Sequence, residues 1–167
     1  MNFVEDVREL IGHTPILHIR NTGITERVRL MAKLELFNPG GSVKDRMGVA
    51  LIKDAQERGL LKPGYTIVEA TAGNAGIGIA LAAIGMGYRV VFAVPEKFSI
   101  EKQMIMKALG AEIVHTPLAA GMKGAFEKVD ELLKTIPHSL CLSQFSNPAN
   151  PSAHYEQTGA EIYADLD

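Results

Sequence analysis

Three short stretches bring together residue types that can act on a small ligand. The first is FNPGGSVKDR, residues 37–46. Asn38, Pro39, Gly40 and Gly41 are turn formers. Ser42 is a good helix N-cap, and Asp45, three residues on, completes a capping-box pattern. That places Lys44 in a first helical turn, where the partial positive charge of the helix end disfavours a cation. A neutral amine is what Schiff-base chemistry with a carbonyl requires. The same pattern also fits an exposed lysine whose charge Asp45 compensates.

The second stretch is EATAGNAGIGIA, residues 69–80. An apolar run enters a Gly-rich turn that opens a helix, so free backbone N–H groups and the helix dipole would converge on an anion. Ala72, Gly73, Ala75 and Gly76 keep that backbone accessible. Thr71 adds a hydroxyl, and Asn74 adds an amide that both donates and accepts. Such a turn equally serves close packing of the helix on a sheet. Its glycine order, G-x-x-G-x-G over Gly73, Gly76 and Gly78, differs from the dinucleotide fingerprint G-x-G-x-x-G. Glu96 stands near the distance of a ribose-binding acid but follows Pro95, so an NAD-dependent enzyme is the weaker alternative. The third stretch is SQFSNPANP, residues 143–151. In an open α/β sheet, ligands sit beyond the carboxyl ends of the strands. Gln144 and the Thr71 turn both fall at that edge and could meet one ligand. Gln144 and Asn147 could instead satisfy loop backbone groups.

These stretches need a frame to position them. The chain has 167 residues, 47% apolar, with net charge −2. It is long enough to bury a core, too apolar for a disordered chain, and without the cation surplus of a nucleic-acid binder. One Cys excludes a disulfide framework and a Cys-based zinc site. Cys141 lies in an apolar run and reads as a small hydrophobe. The most apolar segment, residues 77–95, is broken by Gly78, Gly85, Gly87 and Arg89, and fits a helix, a turn and a strand better than a membrane span. The start, MNFVEDVREL, lacks the regions of a signal peptide. With the lone Cys, this gives the expectation of a cytoplasmic protein with no membrane or nucleic-acid partner.

Apolar periodicity predicts helices over residues 3–11, 42–58, 74–86, 99–109, 122–135 and 151–165. It predicts strands over 16–20, 29–35, 66–70, 89–94, 112–115 and 140–143. From Thr66 onward the elements alternate, which calls for an open parallel sheet with helices on both faces. The two early strands stand outside that series and need partners.

In order and spacing, NPGGSVKDR, TAGNAGIG and QFSNPANP resemble the fold-type II pyridoxal-phosphate enzymes, and among them the cysteine synthase and cystathionine β-synthase family. The resemblance runs from GHTP at Gly12 to TGAEIY at Thr158. PEKFSIEKQ and MKALGAEIVHTP are most similar to the bacterial O-acetylserine-dependent cystathionine β-synthase branch. The resemblance implies pyridoxal 5'-phosphate as cofactor, Lys44 as the lysine that holds it, and Asn74 as the residue bonded to its phenolic oxygen. It implies that Thr71, Ala72, Gly73 and Ala75 grip a substrate carboxylate with Gln144. Small amino acid and thiol substrates follow, as does a homodimer. Ala72 and Ala75 depart from the commoner T-S-G-N-T-G loop by two hydroxyls.

Members of that family are about twice this long. The resemblance therefore implies a missing second domain, which would carry the phosphate loop and which a complementing C-terminal half could supply. Residues 1–40 are expected to pair with it, residues 41–150 to form the α/β domain, and residues 151–167 to connect the two. A non-catalytic fragment or interaction module is the alternative from another class.

Overall fold

The computed structural model describes residues 3–20, 23, 27–71 and 73–166. Among the described residues, six strands and six α-helices alternate along most of the chain. β1 (Ile16–Ile19) and β2 (Leu30–Lys33) precede α1 (Lys44–Glu57). Then come β3 (Thr66–Ala70), α2 (Asn74–Ala83), β4 (Arg89–Pro95), α3 (Ile100–Ala108), β5 (Glu112–Thr116), α4 (Gly121–Thr135) and β6 (Ser139–Leu140). The chain continues through α5 (Ala149–Ala153), a π-helical stretch His154–Gly159, and α6 (Ala160–Leu166).

β5, β4, β3 and β6 form a parallel sheet in that order. Its two central strands, β3 and β4, are near-continuous buried runs, as strands covered on both faces require. One core joins Ile67, Val90, Phe92 and Val94 of the sheet to Met47, Leu51 and Ile52 of α1, Ile79 of α2 and Met106 of α3. The other joins Val68, Ala70, Val91 and Ala93 to Ala125 and Val129 of α4. The expected open parallel sheet with helices on both faces is therefore present.

The chain builds outward from β3 through β4 to β5, then returns to place β6 on the other side of β3. That reversal makes the carboxyl ends of β3 and β6 a topological switch point, where open α/β sheets bind ligands. No described helix is long and apolar enough to cross a membrane.

Several boundaries differ from the expectation. Residues 3–11 give only a 3-10 turn, Val7–Leu10, with Asp6 and Glu9 forming a capping box. The early strands find each other: β1 and β2 pair antiparallel as a separate two-stranded ribbon. The strand expected over 140–143 is reduced to Ser139–Leu140, and Cys141 lies beyond it. α2 stops at Ala83, before a left-handed Gly85. The last helix starts at Ala149 and is interrupted by the π segment.

Two helices meet without side chains between them. A Cβ on Gly78 would lie 2.6 Å from the carbonyl carbon of Lys44, and one on Gly48 would lie 2.8 Å from the amide of Ile79. Both are shorter than real Cβ atoms tolerate. α1 and α2 can cross this closely only because both positions are glycine.

A polar cluster ties distant segments to α1. Arg46 is 1% exposed. It donates to Glu35 at 2.8 and 2.9 Å and to Glu161 of α6 at 2.6 and 2.8 Å. Lys33 adds a 2.8 Å contact to Glu161. Hydrogen bonds from Arg46, then Lys33, hold the Glu161 carboxyl well below the usual carboxylate range. Burial pushes Glu35 upward, but bonds from Arg46, Thr14 and Asn38 outweigh it and leave it lowered. Removing one partner from such a pair costs about 3–5 kcal/mol, because a buried charge is left uncompensated.

Two outcomes follow. Gly78→Ala overpacks the α1–α2 crossing and should lower stability by about 1–3 kcal/mol in urea unfolding; an unchanged midpoint contradicts the close contact. A carboxylate lowered in the folded state stabilises the fold above its unfolded pKa and loses that contribution as pH falls below it. Wild type should therefore lose melting temperature between about pH 5 and pH 3, and Glu161→Gln should lose less over that window.

Candidate active site

Lys44, Thr71, Gly73, Asn74, Ala75 and Gln144 line one open cavity of about 410 Å³, with Val43, Lys102, Met122 and Phe145 completing it. Ala72, the remaining predicted contact, lies outside the described residues. The cavity opens at the switch point.

Each side chain has an identifiable support. Lys44 is the first residue of α1, and its backbone N–H donates to Ser42 Oγ at 3.2 Å. The expected capping box does not form. Asp45 instead accepts the N–H of Gly40, and a Cβ on Gly40 would run into that carboxylate. Asp45 therefore holds the turn that precedes Lys44. Burial pushes its carboxyl upward, with the Gly40 bond opposing. Lys44 is half-buried, and its carbonyl backs onto Gly78.

Thr71 is 2% exposed, and its Oγ1 accepts the N–H of Gly76 at 3.0 Å. With an acceptor site occupied, its hydroxyl proton is available to a ligand. A Cβ on Gly76 would lie 2.7 Å from Thr71 Cγ2, so this glycine permits the contact. Asn74 and Ala75 begin α2, and their N–H groups have no acceptor within the helix. Gln144 is buried, and its Nε2 donates to the carbonyl of Ala70 at 3.0 Å. Asn147, by contrast, serves its loop, donating to Leu142 O and accepting from Ala149 N.

The lining residues include two lysines and no carboxylate. With the N-terminus of α2, they make the cavity receptive to anions. Lys102 was not singled out in the sequence: its Nζ lies 3.4 Å from where a Gly73 Cβ would stand. Nothing in the pattern of α3 marks it, because only tertiary packing brings α3 over the turn. His154 is lowered by burial first, then by the positive charges of Lys44 and Arg46. Cys141 is 3.5 Å from Glu69, and burial followed by that negative charge pushes its thiol up to about 11. It is no nucleophile at neutral pH.

An aldehyde-bearing cofactor fits these residues. A primary amine, an amide able to bond a ring oxygen, and a turn without side-chain bulk at Gly73 face the same space.

Comparison with known proteins agrees with that chemistry. A family model, "Pyridoxal-phosphate dependent enzyme", matches residues 7–167. The chain belongs to this family. It is 52% identical over its whole length to the O-acetylserine dependent cystathionine beta-synthase of Bacillus subtilis (strain 168), of which it covers 54%. It is 47% identical over 98% of its length to cysteine synthase A of Escherichia coli (strain K12), covering 50% of that protein. Its structure resembles that of the O-acetylserine dependent cystathionine beta-synthase from Helicobacter pylori, with a TM-score of 0.95 and 45% identity over 99% of this chain and 55% of that one. The chain thus spans about half the length of the relatives it matches.

With its thiol held near 11, Cys141 should resist iodoacetamide at about pH 7.5 and become reactive only on unfolding. Rapid alkylation mapped to Cys141 in the folded protein would contradict its assigned environment.

Proposed function

We propose that this chain is the N-terminal half of a pyridoxal-phosphate-dependent β-replacement enzyme of sulfur amino acid metabolism. Its amino acid donor is O-acetylserine or serine. Its acceptor is homocysteine, giving cystathionine, or sulfide, giving cysteine; similarity to the Bacillus subtilis relative favours homocysteine. The observation that carries this reading is the shared cavity of Lys44 and the anion-receptive turn at Thr71–Asn74, with no carboxylate in its lining.

Pyridoxal phosphate, when bound, supplies an electron sink for charge developing at the donor's Cα. Lys44 holds the cofactor, and its freed amine is the base for the Cα proton and the acid that returns it. Asn74 orients the cofactor through its amide. Thr71, the backbone N–H groups at the start of α2, and Gln144 hold the donor carboxylate. Ala75 offers only its backbone, so carboxylate binding leans on the turn itself.

The rest of the enzyme supplies the phosphate loop. Residues 1–40 are the proposed attachment for it: among the described residues β1 and β2 pair only with each other, and Leu17 and Leu30 are exposed. The segment 151–167 leads toward it, and the complete protein is a cytoplasmic homodimer.

Product analysis of the complete protein with both thiols tests the reading. Lys44→Ala should abolish cystathionine and cysteine formation with unchanged circular dichroism; retained β-replacement contradicts the assignment. Ala75→Thr restores one hydroxyl facing a carboxylate and should tighten O-acetylserine binding by roughly tenfold, and a hundredfold at most.

A further inference from the structure

Glu69 is a buried acid that the reaction above does not use. It is 2% exposed, and no lysine or arginine among the described residues lies within ion-pair distance. Its position explains why it is tolerated. The ladder between β3 and β6 runs for two residue pairs only, Thr66 with Ser139 and Ile67 with Leu140. Beyond them the two chains part, and side chains take over the work of the ladder. Glu69 Oε2 accepts the backbone N–H of Ser143 at 3.0 Å, and the Ala70 carbonyl accepts Gln144 Nε2 at 3.0 Å. Ser143 has φ +58°, a left-handed conformation that strains a residue with a Cβ unless the surroundings hold it. That turn aims Gln144 back over β3 toward Thr71.

We propose that Glu69 is a positioning residue for substrate carboxylate binding. By holding the Ser143 amide it fixes the turn that sets Gln144 against the Thr71–Asn74 loop. One strand end then organises both sides of the clamp: β3 continues directly into Thr71, and through Glu69 and Ala70 O it fixes Gln144. A carboxyl suits this position because its oxygen accepts the Ser143 N–H where the ladder offers no backbone partner. Burial raises the carboxyl of Glu69, and the Cys141 thiol and the Ser143 amide oppose that rise.

This inference rests on reading the cavity as a donor carboxylate site. Its test uses the complete protein carrying Glu69→Met, which keeps the length without an acceptor, and Glu69→Gln, which keeps a neutral one. Each is combined with Gln144→Ala. In the cofactor-free protein, amide exchange at Ser143 should rise about tenfold in Glu69→Met and less in Glu69→Gln, with α1 unchanged. In the loaded protein, spectral titration with O-acetylserine should show affinity falling about tenfold in Glu69→Met and about threefold in Glu69→Gln. Once Gln144 is alanine, either change should have less than about a twofold effect, the signature of action through that residue. Should Glu69→Met not fold, Glu69→Gln carries the same cycle. Effects that add in the double variants, or unaltered exchange at Ser143, overturn the proposal. A wild-type protein with no spectral response to O-acetylserine removes the site reading and this inference with it.

Discussion

The site depends on how closely two helices can approach. Gly48 and Gly78 bring the backbones of α1 and α2 into direct contact, with the Lys44 carbonyl against Gly78. Lys44 starts one of these helices and Asn74 starts the other. The crossing therefore fixes the distance between an amine and an anion-receptive turn that are 30 residues apart in sequence. A methyl group at either glycine would drive the helices apart, and the cavity wall would lose its shape. The Gly-rich motif is thus a packing device along its helical part and, in the proposed function, a ligand surface at its leading edge. Gly78 belongs to the first role and Gly73 to the second.

Around that contact, buried charge is used to orient rather than to react. Arg46 joins α1 to Glu35 beside the ribbon and to Glu161 on α6. Asp45 holds the turn before Lys44, and Glu69 holds the turn before Gln144. Arg46, Asp45 and Glu69 are buried, and each is bonded to backbone or to an opposite charge, the condition under which buried polar groups are tolerated. None of these acids is among the described residues that line the cavity.

Much of this was legible in the sequence. The alternation after Thr66 fixes a parallel sheet, and the three motifs fall at its carboxyl edge. Lys44, Thr71, Asn74 and Gln144 could be named because turn formers and small residues surround them. Arg46 and Lys102 were not singled out, because their meaning lies in partners that no local pattern marks; Glu161 stands 115 residues from Arg46. The capping box was misread for a related reason. Ser42 and Asp45 have the right spacing, but Asp45 is drawn to the Gly40 amide once the NPGG turn folds back. The early strands were recognised without their pairing, since two short amphipathic runs do not announce that they will pair with each other. Periodicity also passed over the π segment at His154–Gly159, whose extra residue per turn leaves little trace in composition.

In the proposed function, Lys44 is the lysine that holds pyridoxal phosphate. Two lysines line the cavity, so the claim can fail in a specific way. The direct measurement is to load the complete protein with the cofactor, reduce it with borohydride, and locate the added mass by peptide mapping. A single stoichiometric label is expected on Lys44 and none on Lys102. A label on Lys102, or no site-specific label, would contradict it.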